Sequence, residues 1–340
     1  MITRLLRRLQ GRPAPAPTAA PSVEGDAVVV DDVWNDMDDE AVADATVLAS
    51  PELAARFVAH LFGTPADAPV VDGMADDILD RLDTQMQRLD VARLPRLPAL
   101  VPQLLAALRR DDVDANAIAA VLARDPTLAG DVVRVANSAH YRRGAPINAL
   151  PQAVNTVGSD GLRYVVLTTV MRPILQADPS QQGAQSGARL AVQSETRTWL
   201  CGTLARGACD IGEAQLASVI ASTGASALMR MMPRPLITQA AADATFGPRF
   251  LALAGTLSAR AAAHWRLGDS VCTALASMST DDGAPLVRVL THADRLSMLH
   301  TLQQCGEIAS SVSIAASADD RRKDAGLLAS LPQMSESAAA

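Results

Sequence analysis

Residues 94–171 carry a run of short amphipathic patterns separated by clear stop signals, and this run limits the fold more than any other feature. Apolar residues recur there at spacings of three and four, which is the period of a helix with one buried face. Asp125 followed by Pro126 is typical of a helix start, with aspartate as N-cap and proline at the first helical position. Because no segment shows a convincing alternation of apolar and polar residues, the sequence predicts an all-α fold.

The composition supports the same fold class. The 340 residues are 49% hydrophobic but only 3% aromatic, so the core must consist mainly of Ala, Leu, Val, Ile and Met. A core so poor in aromatic residues favours close-packed helices over β-sandwiches, which depend on aromatic as well as β-branched side chains. The formal net charge of −7 argues against a nucleic-acid binder, which usually presents a basic face.

Four segments are predicted along the chain. Residues 1–50 form a largely disordered extension, because a basic, Pro/Ala-rich opening is followed by a block of acidic residues. Residues 51–93 form N-terminal helices, residues 94–303 form the main helical domain, and residues 304–340 form a flexible tail. No apolar run reaches the ~18 residues of a membrane-spanning helix, and no secretory signal is recognisable, so we expect a cytoplasmic protein.

Local patterns give three finer expectations, which fall in two of these segments. Leu53, Phe57 and Leu61 fall at four-residue spacing and predict one buried helix face. Within the main domain, residues 176–188 have the composition of a polar connection between helices. Further on, two short helices are expected over residues 214–222 and 225–231, one on each side of a glycine.

Metal-dependent hydrolysis requires clustered His and Asp side chains that hold ions and activate water. On one helix, His292 and Asp294 point about 200° apart and do not easily share an ion. The sequence also lacks a G-x-S-x-G elbow, a Gly-rich phosphate loop and a C-x-x-C pair. We therefore expect no cofactor. No H-x-x-x-H or adjacent His-Asp pair occurs among the five histidines, which are His60, His140, His264, His292 and His300.

Residues 116–137 raise the alternative of a helix-turn-helix DNA reader, since two short helices meet there at a tight junction. A recognition helix, however, must present polar and mostly basic side chains to phosphates and base edges. The second helix here offers Arg134, Asn137 and Ser138 among apolar neighbours, which is the pattern of a packed helix. DNA binding is therefore the weaker hypothesis.

Three motifs give the chain a resemblance to a known family, the HDOD domain. They read LPRLPALVPQLLAALRRDD, LARDPTLAGDVVRVANSAHY and PINALPQAVNTVGSDGLRYVVL, and the resemblance extends over residues 94–303. The Asp-Pro and Ala-Asn-Ser-Ala elements are its most specific parts. The matching positions are Leu94, Pro95, Leu97, Pro98, Asp125, Pro126, Leu128, Ala136, Asn137, Ser138, Ala139, Tyr141, Pro146, Ile147, Ala153, Val154 and Gly158.

This resemblance implies a two-lobed helical fold related to the HD-superfamily phosphohydrolases, mostly without catalysis. In HD enzymes a His-Asp pair precedes a glycine, and the corresponding residues here are Ala221 and Ser222. The earlier ligand histidine falls near residues 199–201, where there is none, whereas Asp294 matches the last ligand position. The resemblance thus implies a pseudo-enzyme with a degenerate site.

We expect a non-catalytic bacterial signal-transduction protein that acts by binding a protein or a small ligand. The partner belongs to a signalling pathway, related to cyclic-di-GMP or to two-component systems, and no nucleic acid is expected. The candidate binding residues are Arg134, Asn137, Tyr141 and Arg142, although a helix end rich in polar side chains also satisfies backbone groups. The alternatives are a divergent HD-type metal-dependent phosphohydrolase and a nucleic-acid-binding regulator.

Overall fold

The computed structural model describes residues 46–91, 94, 118–119, 122–123, 126–138, 140–142, 144–175, 181–278 and 283–331. Most of the predicted 1–50 extension therefore lies outside the described residues. Within them the protein is helical and contains no strand, which confirms the all-α fold. None of these helices is long and apolar enough to cross a bilayer. In chain order they are α1 Ser50–Phe62, α2 Met74–Arg88, α3 Pro126–Ala136, α4 Leu150–Leu175, α5 Gln181–Leu204, α6 Ile211–Met229, α7 Arg234–Ala240, α8 Phe246–His264, α9 Asp269–Ala276, α10 Pro285–Gln304 and α11 Ala318–Ala329.

Helix α1 belongs to the core, although it precedes the main predicted domain. Leu53, Phe57 and Leu61 are buried, as their four-residue spacing predicts. The helix ends at Gly63, whose φ of 68° is a left-handed conformation that glycine adopts without strain. Since α1 packs against α5, α8 and α10, it forms part of the same helical core as the main domain.

Two hydrophobic clusters divide the described helices, which confirms the two-lobed expectation. The smaller cluster contains α3, the first part of α4 and Trp199 of α5. The larger cluster contains the other long helices. Helix α4 contributes Val166 to the smaller cluster and Leu167 to the larger one, and Gly158 interrupts it with a φ of 67°. Helix α4 therefore connects the two lobes.

Helix α6 lies at the centre of the larger cluster and is buried almost all round. The prediction of two helices separated near Gly224 is wrong, because Ile211–Met229 is one continuous helix. A Cβ atom on Gly224 would lie 1.9 Å from the carbonyl oxygen of Ala254 on α8. The backbone nitrogen of Gly224 also donates to Ser258 Oγ at 2.9 Å. This glycine therefore serves the close approach of two helices, not a break.

Two other segments are more ordered than predicted. Residues 181–188 belong to α5 and not to a polar connection, because Gly183, Ser186 and Gly187 are buried at helical spacing and present a face of small residues. Residues 318–329 of the predicted flexible tail form α11, which Ser317 caps by accepting from Asp320 N. A buried carboxylate on this helix, that of Asp324, contacts His292 of α10.

Candidate functional site

Arg197 of α5 occupies the centre of a buried polar network that joins three helices. Its guanidinium donates through Nη1 to Asp294 Oδ1 of α10 at 2.5 Å. Through Nη2 it donates to Ser222 Oγ of α6 at 2.5 Å and to the carbonyl oxygen of Ser218 at 2.8 Å. Its Nε donates to Ser218 Oγ at 3.3 Å. The side chain is only 5% exposed, so the charge is buried but paired and hydrogen-bonded, as buried charges require.

A second side chain from α5 completes the network around Asp294. Gln193 Nε2 donates to Asp294 Oδ1 at 3.1 Å and to Ser297 Oγ at 2.8 Å. Ser297 Oγ in turn donates to the backbone oxygen of Asp294 at 2.8 Å. The Asp294 side chain retains 19% exposure, so one carboxylate at this site remains accessible.

This network forms the polar part of a cavity of about 410 Å³. The cavity is lined by α1, α5, α6, α8, α9 and α10, with Gln193, Arg197, Ser222 and Asp294 among its polar residues. Its remaining lining is mainly apolar and includes Leu190, Leu251, Leu275, Met278 and Met298. A mostly apolar cavity with a few convergent polar groups is the usual form of a small-ligand site.

The structure brings together the positions that the resemblance assigns to the degenerate HD site. Ala221, Ser222 and Asp294 all line this cavity. His292 does not line the cavity, and its Nε2 lies 2.8 Å from Asp324 Oδ1. This differs from Asp294, as expected for two residues that are two positions apart on one helix. Within the expected place of the first ligand, residues 199–201, Trp199 packs in the smaller cluster, whereas Cys201 packs in the larger cluster close to Arg197 and Ser218.

Sequence reasoning missed Arg197, although a signal for it exists in the sequence. Six consecutive polar residues, 193–198, occur within α5, and all of them are buried. A buried polar run in a helix indicates an internal network, because such groups need partners. On another side of the helix, Glu195 accepts from Arg172 Nε at 2.7 Å. Burial raises the pKa of Glu195, and the charge of Arg172 partly opposes that rise.

The side chains at this site do not fit a metal ion. They supply one carboxylate, one amide and several serine hydroxyls around a guanidinium cation, which already binds Asp294. A divalent ion would compete with Arg197 for that carboxylate and would be repelled by its charge. In the part of the chain that the structure describes, no group of three or more His, Cys, Asp and Glu side chains is arranged to hold a metal.

Asn137, one of the predicted binding residues, holds a loop to the end of α3. Its Nδ2 donates to the carbonyl oxygens of Val133 and Ile147, at 3.0 and 2.7 Å. Its Oδ1 accepts from the backbone nitrogen of Ile147 at 2.8 Å. The amide thus satisfies backbone groups, which is the structural role that such a helix end can have.

The other three predicted binding residues lie near Asn137 in the chain but differ in environment. Arg134 pairs with Asp131 at 3.2 Å on the surface of α3. The ring of Tyr141 packs edge-on against Trp199, and burial raises the pKa of its hydroxyl to about 12. Arg142 is exposed. None of these residues lines the cavity around Arg197 and Asp294.

Residues 94–280 match the model of the HDOD domain, and no curated protein matches the chain. An HDOD domain protein of unknown function from Geobacter sulfurreducens has 16% identity and a TM-score of 0.49, covering 75% of this chain and 88% of that one. A protein from Shewanella amazonensis, named as a candidate metal-dependent phosphohydrolase, has 14% identity and a TM-score of 0.47, covering 76% and 99%. A candidate signal transduction protein from Marinobacter aquaeolei has 16% identity and a TM-score of 0.47, covering 85% and 67%.

The family match confirms the resemblance and begins at the same residue, Leu94. Helices α1 and α2 precede the matched residues, and α10 with Asp294 follows them. The cavity is therefore built partly from the matched domain and partly from helices on both sides of it. Since the match spans more than half of the 340 residues, this chain belongs to the HDOD domain family.

Proposed function

We propose that this protein is a non-catalytic regulator that binds a partner or small ligand at the cavity around Arg197 and Asp294. The observation that carries the proposal is the guanidinium of Arg197, which lies between Ser222 and Asp294. These are two positions at which the resemblance to HD enzymes places metal ligands. An internal cation at that place supplies a fixed positive charge and no open coordination position, so it supports binding and not metal-assisted hydrolysis.

The lining of the cavity determines the chemistry of recognition. Apolar contacts with the walls provide binding energy roughly in proportion to the apolar area removed from water. The accessible carboxylate of Asp294 accepts a hydrogen bond from the bound group and fixes its orientation. The favoured occupant is therefore an apolar side chain or small molecule that carries a hydrogen-bond donor.

The biological setting is proposed from the resemblance. HDOD domains usually occur in bacterial signalling, often beside cyclic-di-GMP or receiver domains. We accordingly propose a cytoplasmic protein whose partner belongs to such a pathway.

The experiment that tests this function compares the wild type with two variants on α8. Ala252 is exposed and lines the cavity, whereas Ala263 is exposed on the same helix and does not line it. Tagged wild type, A252W and A263W are purified from the native host, and retained proteins and small molecules are identified by mass spectrometry. We expect one specific partner or ligand to be retained by wild type and A263W and lost by A252W.

Two assays on the same preparations separate this function from its alternatives. Metal analysis together with hydrolysis of phosphodiesters and nucleotides tests the phosphohydrolase, and stoichiometric transition metal with turnover would refute the non-catalytic proposal. Duplex binding at increasing salt tests the nucleic-acid binder, for which affinity falls steeply with salt. Equal retention of the partner by A252W and A263W would refute the assignment to the cavity.

A further inference from the structure

A second polar cluster lies where α10 ends beside the last turn of α1, outside the cavity. Gly306 follows α10 with a φ of 72°, and its nitrogen donates to the carbonyl oxygen of Gln303 at 3.0 Å. The nitrogen of Glu307 donates back to the carbonyl oxygen of Leu302 at 3.0 Å. These two bonds form a Schellman motif, which reverses the chain at the helix end. Both Cys305 and Glu307, which flank this glycine, contact His60 of α1.

His60 contacts these two residues through opposite nitrogens of its ring. Its Nδ1 lies 2.5 Å from Glu307 Oε1, and its Nε2 lies 3.8 Å from Cys305 Sγ. Because an ionised carboxylate only accepts hydrogen bonds, Nδ1 carries the proton in the neutral ring and Nε2 keeps its lone pair. The His60 side chain is only 7% exposed, so this lone pair is a buried acceptor aimed at the thiol. Arg189 Nη1 donates to the backbone oxygen of His60 at 2.6 Å and helps to hold the residue in place.

Cys305 is exposed to reagents but is not intrinsically acidic. Burial of the sulfur and the charge of Glu307 raise the pKa of its thiol, whereas Arg189 opposes that rise. The resting group at neutral pH is therefore mainly the thiol, which is a weaker nucleophile than the thiolate. A neighbouring base is needed for the reaction, and His60 has the position of one.

The other three cysteines provide an internal comparison. Cys201 is fully buried, and burial raises its pKa to about 12. Cys209 and Cys272 are partly exposed, and burial raises the pKa of both. Cys272 donates its S–H to the backbone oxygen of Leu267. Among the described residues, only Cys305 has a contact between its sulfur and a histidine ring nitrogen.

We propose that Cys305 is a modification site that reacts with low-molecular-weight disulfides, with His60 as the general base and Glu307 as its positioning residue. The thiol proton passes to His60 Nε2 as the sulfur of Cys305 attacks one sulfur of the disulfide. The original S–S bond breaks, a new S–S bond to Cys305 forms, and the departing thiolate takes the proton from Nε2. The reaction consumes one disulfide and one thiol and produces one disulfide and one thiol. The added disulfide is therefore the only reagent required. Glu307 stabilises the imidazolium formed between these two proton transfers.

The test uses the full chain and glutathione disulfide at neutral pH, with adducts on each cysteine quantified by peptide mass spectrometry. We expect Cys305 to form the adduct before Cys209 and Cys272, and C305S to lose the fast phase. We expect H60Q to slow adduct formation roughly 100-fold, which is the lower end of the usual contribution of a general base. E307Q, which keeps a hydrogen-bond acceptor but removes the charge, should slow it by a smaller factor.

E52Q serves as the matched control, because Glu52 is an exposed, ion-paired glutamate on α1 that does not contact His60. Its rate should equal that of the wild type. Circular dichroism verifies that each variant is folded. If H60Q does not fold, the rate of adduct formation in E307Q is used to test the proposal. Modification of Cys305 at the wild-type rate in folded H60Q and E307Q would overturn the proposal, because exposure alone would then explain its reactivity.

Discussion

The Arg197 network and the His60 cluster both join residues far apart in the chain through side-chain contacts, but they differ in exposure. Arg197 and Asp294 are 5% and 19% exposed, and the guanidinium donates to groups on two other helices. In the His60 cluster, the imidazole is buried, but Glu307 is 44% exposed and the Cys305 thiol is accessible. The difference indicates that loss of one partner costs more stability in the first cluster than in the second, and that the second is more open to reagents.

The largest effect is expected for R197M. This change removes the cation and leaves Asp294 in a poorly solvated place without its partner, which should lower the free energy of unfolding by about 3 kcal/mol. Urea unfolding followed by circular dichroism measures the loss. R249M is the control, because Arg249 pairs with Asp76 on the surface, and it should lose less than about 1 kcal/mol. Equal losses in both variants would remove the distinction between the buried and exposed pairs.

Gly224 tests the packing of the interior around the Arg197 network. A methyl group there would overlap the backbone oxygen of Ala254, so G224A should lose about 2 kcal/mol through forced separation of α6 and α8. G255A is the matched control on α8, since its new Cβ would meet its nearest atom at 3.6 Å. It should gain about 0.5 kcal/mol from the better helix propensity of alanine. Thermal and urea unfolding of both variants check the opposite signs.

The contact between α10 and α11 is intermediate in exposure between the Arg197 network and the His60 cluster, because Asp324 is buried but His292 is partly exposed. H292A leaves the carboxylate of Asp324 without this partner and should weaken the docking of α11 by about 1 kcal/mol. Hydrogen exchange by mass spectrometry should become faster in residues 318–329 and stay unchanged in α1. K323A removes only a surface pair with Asp320 and should leave both regions unchanged. Protection of α11 that is the same in H292A as in the wild type would contradict this role.

E307Q should have the smallest effect on stability. Glu307 is largely exposed, so loss of its charge should change the free energy of unfolding by less than about 1 kcal/mol. Urea unfolding of E307Q beside E52Q measures this change. A loss as large as that of R197M would show that the His60 cluster is a stabilising site like the Arg197 network.

Much of the fold follows from local sequence signals. The spacing of Leu53, Phe57 and Leu61 predicts the buried face of α1, and Asp125-Pro126 predicts the start of α3. The errors arose where small residues were interpreted as breaks or linkers. Gly224 serves the close approach of α8, and the small face of α5 at residues 183–187 is buried; both features depend on the tertiary structure and cannot be read from local composition.

The candidate site could be predicted only in part. The resemblance pointed to Ala221, Ser222 and Asp294, which do line one cavity. The role of Arg197 depends on Asp294 of α10, far along the chain, and a single sequence does not show such a pairing. The contact of His60 with Glu307 joins residues still further apart and was missed for the same reason.

The packing of α1 against α8 and α10 has a consequence for synthesis of the protein. The apolar face of α1 leaves the ribosome long before the helices that cover it, because α10 ends at residue 304. At about 5–20 residues per second, this interval lasts on the order of tens of seconds. The larger lobe therefore cannot close during early translation, and the nascent chain presents Leu53, Phe57 and Leu61 as a surface that chaperones can bind.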